Sequence, residues 1–288
     1  LGLSRIKVSR LLKEARNTQV VQIHIDWPIQ RDLDLEMHLQ QAFGLKSARV
    51  LKTTSQNHVS NWRRLGQLGA TYLEKVLKDG ATMAVCLGRS TYEVINAIRP
   101  NFQANVRVAQ AMGSMPFTLQ PFDSGTLARK LAKKLGGEVL YLSSPLMADT
   151  SQAAEVIRSQ RGIAQTLEAA RQADVALLGI GNLDPLSSGF VAADVIPPSQ
   201  LEALVTDGAV GDVAGQIYTY TGQRHQNSYN DRIIGVTLSE LRDIPTTVAV
   251  AMGQQKARAI LGGLRTGAIN VLCTDTAAAK EALRLANE

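Results

Sequence analysis

Short apolar runs alternate with amphipathic segments along most of this 288-residue chain. The apolar runs predict seven strands, at residues 48–51, 82–87, 106–112, 138–142, 175–180, 247–251 and 270–274. The segments between them carry apolar residues at helical spacing and predict seven helices, at residues 62–77, 91–98, 126–135, 161–172, 199–205, 254–264 and 276–285. Strands that alternate with helices indicate βαβ units, so we expect an α/β fold with a mostly parallel sheet covered on both faces.

Two segments depart from this alternation. Residues 21–26 alternate apolar and polar positions as an edge strand does, and Trp27-Pro28 then ends the pattern. We therefore expect a domain boundary there, with one unit at residues 1–26 and another at 27–288. A Gly222-Gln223 turn after residues 217–220 predicts a local hairpin.

Composition excludes several classes of protein. Hydrophobic residues make up 45% of the chain, which is ample for a core, yet no apolar run approaches the ~18 residues of a membrane span. No signal peptide opens the chain, so we expect a cytoplasmic protein without a membrane partner. Cys86 and Cys273 end apolar runs and are expected to be buried and unpaired. The four histidines lack metal-ligand spacing, so we expect no metal site. We also expect no cofactor.

The positive charge is concentrated at the start of the chain. Five Lys/Arg against one Glu give the first sixteen residues +4 of the net +6. A helix over about residues 4–16 is predicted, capped by Ser4, with Val8, Leu11, Leu12 and Ala15 as a buried stripe. The other face then offers candidate DNA-binding residues: Ser4, Arg5, Lys7, Ser9 and Arg10. A solvated basic helix packed on the protein body is the alternative.

The order of residues in this helix favours the DNA-binding interpretation. The run LGLSRIKVSRLLKEA resembles the second half of the helix-turn-helix of SorC/DeoR-type bacterial transcriptional regulators, with Gly2 in the turn and Ser4 opening the recognition helix. Such a motif needs a first helix to brace the second across the DNA. Because the chain starts at Leu1, we expect a fragment that binds DNA poorly by itself. The resemblance implies that the complete motif binds double-stranded operator DNA.

Two strand ends carry residues suited to an anion. Gly88, Arg89, Ser90 and Thr91 follow a strand and open a helix, where free amides and the helix dipole favour a phosphate. A simple helix cap would use the same residues. The segment also resembles the phosphate loop of the glucosamine-6-phosphate deaminase/ribose-5-phosphate isomerase superfamily. GQQKARAI resembles the G-x-x-K-x-x-A-I of both families, in which the lysine, here Lys256, reaches a phosphate; an exposed surface lysine is the alternative.

A third strand end argues against catalysis. Gly179-Ile180-Gly181 is not a dinucleotide fingerprint, because Asp184 and Pro185 stand where the third glycine and the helix should come. Glucosamine-6-phosphate deaminases have a histidine in this segment, but this chain has none between residues 58 and 225. We therefore expect Gly181 and Asn182 to line a binding site rather than a catalytic site.

Further effector contacts are implied by the resemblance. Gln110, Gly113 and Ser114 follow a strand where family members carry a loop over the sugar, although Gly113 serves equally well in a plain turn. Thr219 takes the place of an aspartate that contacts effector hydroxyls in many members. A threonine cannot supply the charge-assisted hydrogen bonds of a carboxylate, so an effector different from theirs is an open alternative.

Three more segments extend the resemblance across nearly the whole chain: GDVAG at residues 211–215, NDRIIGV at 230–236 and GAINVLCTDT at 267–276. The implied fold is a Rossmann-like sheet of the glucosamine-6-phosphate deaminase/ribose-5-phosphate isomerase/CoA-transferase type, preceded by a partial helix-turn-helix. The implied function is an effector-responsive regulator of a carbohydrate operon, controlled by a phosphorylated sugar and assembled as a homotetramer. A sugar-phosphate isomerase or deaminase and a stand-alone sensor remain the alternatives.

Overall fold

The computed structural model describes residues 2, 4–18, 20, 29–53, 58–115 and 122–288. Its centre is a parallel sheet of seven strands in the spatial order β1 (Ser47–Leu51), β10 (Val271–Asp275), β9 (Thr246–Val250), β5 (Val175–Gly179), β2 (Thr82–Val85), β3 (Arg107–Gln110) and β4 (Val139–Leu140). Each of the seven predicted strands lies in this sheet. The predicted α/β class with a parallel sheet is therefore confirmed.

A smaller antiparallel sheet joins β6 (Gly181–Asn182), β7 (Ala209–Val213) and β8 (Gln216–Thr219). The tight turn of its hairpin is made by Ala214 and Gly215, both at positive φ, which is the geometry that suits the twist of two paired strands. The predicted turn at Gly222 also forms, with the Thr219 amide donating to the Gln223 carbonyl at 2.9 Å. It leads only to an isolated bridge, so the strand that pairs with β8 precedes it rather than follows it.

Helices surround the two sheets. In chain order they are α1 (Arg5–Asn17), α2 (Leu33–Phe43), α3 (His58–Val76), α4 (Arg89–Ala97), α5 (Ser124–Leu135), α6 (Ser151–Ser159), α7 (Arg161–Arg171), α8 (Gly189–Ala192), α9 (Pro198–Thr206), α10 (Ser228–Arg232), α11 (Leu238–Asp243), α12 (Ala257–Arg265) and α13 (Thr276–Ala286). A 3-10 turn at Gln254–Lys256 precedes α12. The helices predicted within residues 62–285 all form, whereas α2, α6, α8, α10 and α11 were not predicted.

Helix α2 shows why some helices escape hydrophobic patterning. Its buried face includes Glu36, which is only 4% exposed. An apolar residue at this position would have completed the hydrophobic stripe by which a helix is predicted. Arg31 Nε donates to the Glu36 carboxylate at 2.7 Å, and the Val50 amide donates to it at 2.9 Å. These bonds satisfy the buried charge and tie α2 to β1.

The core lies on both faces of the parallel sheet. Side chains alternate along each strand, so Val248 and Val250 of β9 join the core on one face while Ala249 and Ala251 join the core on the other. Both sets are fully buried. This double burial explains why the strands are near-continuous apolar runs, which made them recognisable in the sequence.

The first helix forms, but its predicted buried stripe is wrong. Ser4 caps α1, with the Lys7 amide donating to Ser4 Oγ at 3.3 Å. Val8, Leu11 and Leu12 are 40%, 46% and 48% exposed, because no described element packs closely against this face. The predicted strand at residues 21–26 and the boundary at Trp27-Pro28 lie outside the described residues, so the division into two units stays a prediction.

Both cysteines are free and buried, as predicted. Cys86 is 2% exposed and Cys273 is fully enclosed. Burial without a cationic partner strong enough to offset it raises the pKa of each thiol to about 12. The two side chains therefore act as small hydrophobic groups and not as thiolate nucleophiles or metal ligands.

Candidate functional site

The order of the parallel strands places a crevice at the centre of the sheet. The chain runs from β2 outward to β3 and β4, then returns to the other side of β2 and continues through β5, β9 and β10. Loops that leave β2 and β5 therefore diverge, and ligands of open α/β sheets bind in the gap at such a point. The loops at residues 86–88, 180–181 and 251–256 follow β2, β5 and β9, and we call the gap they border the strand-end cleft.

The first wall of the cleft is the start of α4. Gly88 is its N-cap, with φ of 138°, and no side chain caps the helix. Thr91 Oγ1 donates to the Gly88 carbonyl at 2.8 Å, which fixes the turn while Ser90 and Thr91 remain buried. The first-turn amides therefore lack a side-chain acceptor within the described part of the chain, and a helix N-terminus of this kind attracts anions.

Arg89 takes a different position from its neighbours. Its side chain is exposed, and its guanidinium lies over the ring of Trp62, 5.0 Å from the ring centroid. The prediction gave Arg89 a direct role in holding a phosphate. The structure shows its charge stacked on Trp62 of α3, and the role in holding a phosphate stays a prediction.

The second wall of the cleft is built by Lys256. This residue ends the 3-10 turn after β9, and its Nζ donates to the carbonyl of Ile180 at 2.6 Å. Desolvation lowers the pKa of the ammonium group, while the nearby Asp212 carboxylate opposes that change. Lys256 is half-buried beside the end of β5, so it is not the exposed surface lysine of the alternative interpretation.

Asp212 is a candidate site residue that is not among those predicted from the sequence. Desolvation raises the pKa of its carboxyl to about 6, and Lys256 and a hydrogen bond from the Gly215 amide limit the rise. Its carboxylate lies directly against Gly181, where an added Cβ would come within 1.8 Å of Asp212 Oδ1. The signal in the sequence that includes Asp212 is the GDVAG segment at residues 211–215, a family motif that does not by itself show a contact with Lys256.

The predicted loop after β3 is held by internal bonds. Gln110 is 1% exposed; its Nε2 donates to the Met112 carbonyl at 3.0 Å and to Ser124 Oγ at 2.5 Å, and its Oε1 accepts from the Leu142 amide. Gly113 lets the loop backbone pass close to Pro145, since an added Cβ would lie 2.1 Å from the Pro145 carbonyl oxygen. These contacts give the loop a packing function.

Ser114, Asn182 and Thr219 are also engaged locally. Ser114 forms a bridge with Pro145 and its Oγ lies 3.4 Å from Gln110 Nε2. Asn182 is 6% exposed and donates to Ser187 Oγ at 2.9 Å. Thr219 lies against Gly262, near the middle of α12, so the structure does not bring it to Lys256, which precedes that helix.

The candidate DNA-binding residues lie apart from the cleft on α1. The side chains of Arg5, Lys7, Ser9 and Arg10 are exposed, as is that of the capping Ser4. Three or more His, Cys, Asp or Glu side chains do not come together in a metal-binding arrangement anywhere in the described residues. No helix in the described ranges has the length and apolar character needed to cross a membrane.

Sequence comparisons relate this chain to transcriptional regulators. A family model described as "Putative sugar-binding domain" matches residues 27–284. The chain is 33% identical over 297 residues to "Transcriptional regulator LsrR" of Klebsiella pneumoniae, covering 100% of this chain and 87% of that protein. It is 29% identical over 276 residues to the "Deoxyribonucleoside regulator" of Bacillus subtilis, covering 96% and 87%. The similarity therefore extends over nearly the whole chain.

Solved structures give the same relationship. A domain titled "Putative Sugar-Binding Domain of Transcriptional Repressor" from Vibrio fischeri is 31% identical, has a TM-score of 0.80, and covers 89% of this chain and 100% of its own. The full-length sorbitol operon regulator SorC from Klebsiella pneumoniae is 25% identical, has a TM-score of 0.80, and covers 98% and 90%. The fold is thus shared with regulators that carry a sugar-binding domain.

Proposed function

The chain belongs to the SorC/DeoR family of sugar-binding transcriptional regulators, and from this premise we propose that a phosphorylated sugar controls it by binding in the strand-end cleft. It is a regulator, not an isomerase or deaminase of similar fold. Its relatives regulate genes and carry names linked to sorbitol, erythritol and deoxyribonucleosides.

The position of Lys256 carries the proposal. Strands β9, β5 and β2 are neighbours in that order, so the Lys256 loop and the Gly88 loop lie two strand spacings apart. Two spacings of a sheet amount to about 10 Å, which is the length of a sugar phosphate. The Lys256 ammonium group reaches the Ile180 carbonyl, directly after the middle strand β5, so a phosphate between that position and the first turn of α4 would meet both the helix dipole and the ammonium group.

Asp212 supports recognition of the sugar. Its carboxylate borders Gly181 and interacts electrostatically with Lys256, so it lies at the same end of the sheet. A carboxylate accepts strong hydrogen bonds from hydroxyl groups. We assign to Asp212 the contact with effector hydroxyls that the sequence had assigned to Thr219.

In this proposal, the effector controls transcription by shifting the populations of two arrangements of an oligomer. An effector changes the population only by its difference in affinity for the two arrangements. We propose a homotetramer acting in the cytoplasm, in which a complete helix-turn-helix on each subunit binds operator DNA. Support comes from the exposed basic face of α1 and from the symmetry with which such motifs bind paired half-sites.

The effector proposal is tested with matched pairs of sugars with and without a phosphate group. In a thermal-shift series, a phosphorylated member at 100 times its Kd should stabilise the chain by about 2.7 kcal/mol, and the unphosphorylated partner should give a much smaller shift. A sugar that stabilises equally well without its phosphate would contradict the proposal. Inorganic phosphate alone serves as the control for the contribution of the anion.

DNA binding is tested through Arg10. In the form that carries the complete helix-turn-helix, Arg10→Ala is expected to weaken operator binding and to reduce the salt slope of log K by about 1, since one phosphate contact is lost. The measurement is fluorescence anisotropy over a salt series. Arg129→Ala, which removes an exposed arginine from α5, is the matched control. An unchanged slope in Arg10→Ala would exclude a phosphate contact by this residue.

A further inference from the structure

A second polar cavity lies away from the strand-end cleft. It has a volume of about 500 Å³, is open to solvent on one side, and is bordered by α6, the end of α7, β8 and the segment from α10 to α11. Six charged residues line it: Glu155, Arg158, Arg171, Arg224, Asp231 and Glu240. We call it the α6 cavity. Its size is that of pockets that hold small metabolites.

The β7–β8 hairpin separates the α6 cavity from the cleft. Val213 pairs with Gln216 across the hairpin, so their side chains share one face, while the adjacent Asp212 projects from the other. Gln216 lines the α6 cavity, whereas Asp212 lies beside Lys256. The two sites therefore use opposite faces of the same hairpin and share no lining residue.

Four of the six charges in the cavity neutralise one another. Arg171 Nε lies 2.6 Å from Glu240 Oε1, and Arg224 forms a 2.7 Å ion pair with Asp231. A ligand would have to break these pairs in order to use them. The charges available for recognition are consequently those of the remaining two residues.

Glu155 and Arg158 are the two remaining charges, three residues apart on one face of α6. Arg158 is half-buried, and one of its terminal nitrogens donates to the Ile233 carbonyl at 2.6 Å. Within the described residues, neither its guanidinium nor the Glu155 carboxylate takes an ion-pair partner. The cavity therefore presents one free positive charge and one free negative charge.

Gln216 adds an unsatisfied polar atom at the same place. Its side chain is 2% exposed, and its Oε1 has no hydrogen-bond partner among the described residues. Native proteins rarely leave a buried amide oxygen without a donor, because the loss of its water costs free energy. Because this oxygen has almost no accessible surface, Gln216 forms part of the cavity wall and is not assigned a ligand contact.

We propose that the α6 cavity binds a small zwitterion of the α-amino-acid class. Its carboxylate pairs with Arg158, and its ammonium group donates to Glu155. A simple anion would be repelled by Glu155, and a simple cation would leave Arg158 unpaired, whereas a zwitterion pairs with both charges. This site is additional to the effector cleft and does not depend on the function proposed for it.

The test is isothermal titration calorimetry of the whole chain with a panel of free L-amino acids. At least one is expected to bind with one site per chain, and Glu155→Gln is expected to weaken that binding about tenfold or more. Glu155 is exposed and has no ion pair among the described residues, so this variant should fold normally. Glu202→Gln, which changes an exposed glutamate of α9 outside the cavity, should bind like the parent chain.

Two further arms separate this proposal from others. Lys256→Gln should keep amino-acid binding, and Glu155→Gln should keep the thermal shift caused by a sugar phosphate, so the two sites fail independently. The carboxylic acid that lacks the α-amino group should bind at least tenfold more weakly than its amino acid. Equal binding of that acid, equal binding to Glu155→Gln, or no binding by any amino acid would overturn the proposal.

Discussion

Replacing Lys256 with Gln is expected to weaken the binding of a sugar phosphate by about 10- to 100-fold. A hydrogen bond to a charged group contributes roughly 1.5–3 kcal/mol, and this change removes the charge while keeping a polar side chain. Lys256 also donates to the Ile180 carbonyl, so some loss of stability should accompany the loss of affinity. Titration calorimetry with the best phosphorylated sugar measures the first effect, and urea unfolding measures the second.

Lys280→Gln is the matched control for this experiment. Lys280 is an exposed lysine on α13, outside the strand-end cleft, so its replacement should change neither affinity nor the free energy of unfolding appreciably. Equal affinity of Lys256→Gln and the parent chain would place the phosphate elsewhere. Equal weakening by both variants would indicate a general electrostatic effect of net charge.

The second large effect concerns pH. The folded-state pKa of Asp212 is about 6, above the ordinary value of 3.8, because desolvation disfavours the ionised form. The folded protein therefore holds this proton more tightly than the unfolded chain does. Asp212 favours folding most at or below about pH 4, and its contribution declines as pH rises from 4 through 6. The decline should be on the order of 1–3 kcal/mol, since one pKa unit corresponds to about 1.4 kcal/mol.

Asp212→Asn isolates this contribution. The amide does not titrate, so the difference in unfolding free energy between the parent chain and the variant should change with pH over the window from 4 to 6 and level off above it. Urea unfolding at several pH values in this range measures that difference. A constant difference across the window would show that the carboxyl of Asp212 titrates normally in the folded state.

The parts of the fold that the sequence predicted are those with uniform burial. The strand β9 and its neighbours are buried on both faces, so each appears as an apolar run whatever its partners are. Helix α2 was missed because Glu36 stands on its buried face, satisfied by Arg31 and the Val50 amide from another element. No pattern within α2 reveals that partnership.

For the candidate site, the sequence likewise predicted some features and not others. Gly88 and Lys256 were found because each follows a strand directly, and strand ends of a parallel sheet meet at one edge. Gln110 was predicted on the same ground, yet its side-chain amide forms hydrogen bonds with Met112, Ser124 and Leu142. Position after a strand shows where a residue lies, but it does not show which partners its side chain takes.

The sequence by itself determined the α/β class, the seven strands of the sheet, the basic helix α1 and the family, because these depend on local spacing and on residue order. Only the tertiary structure decided that the stripe of α1 is exposed, that Asp212 lies beside Lys256, and that Glu155, Arg158 and Gln216 border one cavity. The physical reason is that burial, pKa and charge pairing depend on neighbours that are distant in the chain. Residues 155 and 216 line one cavity only because the fold brings α6 and β8 to it from separate parts of the chain.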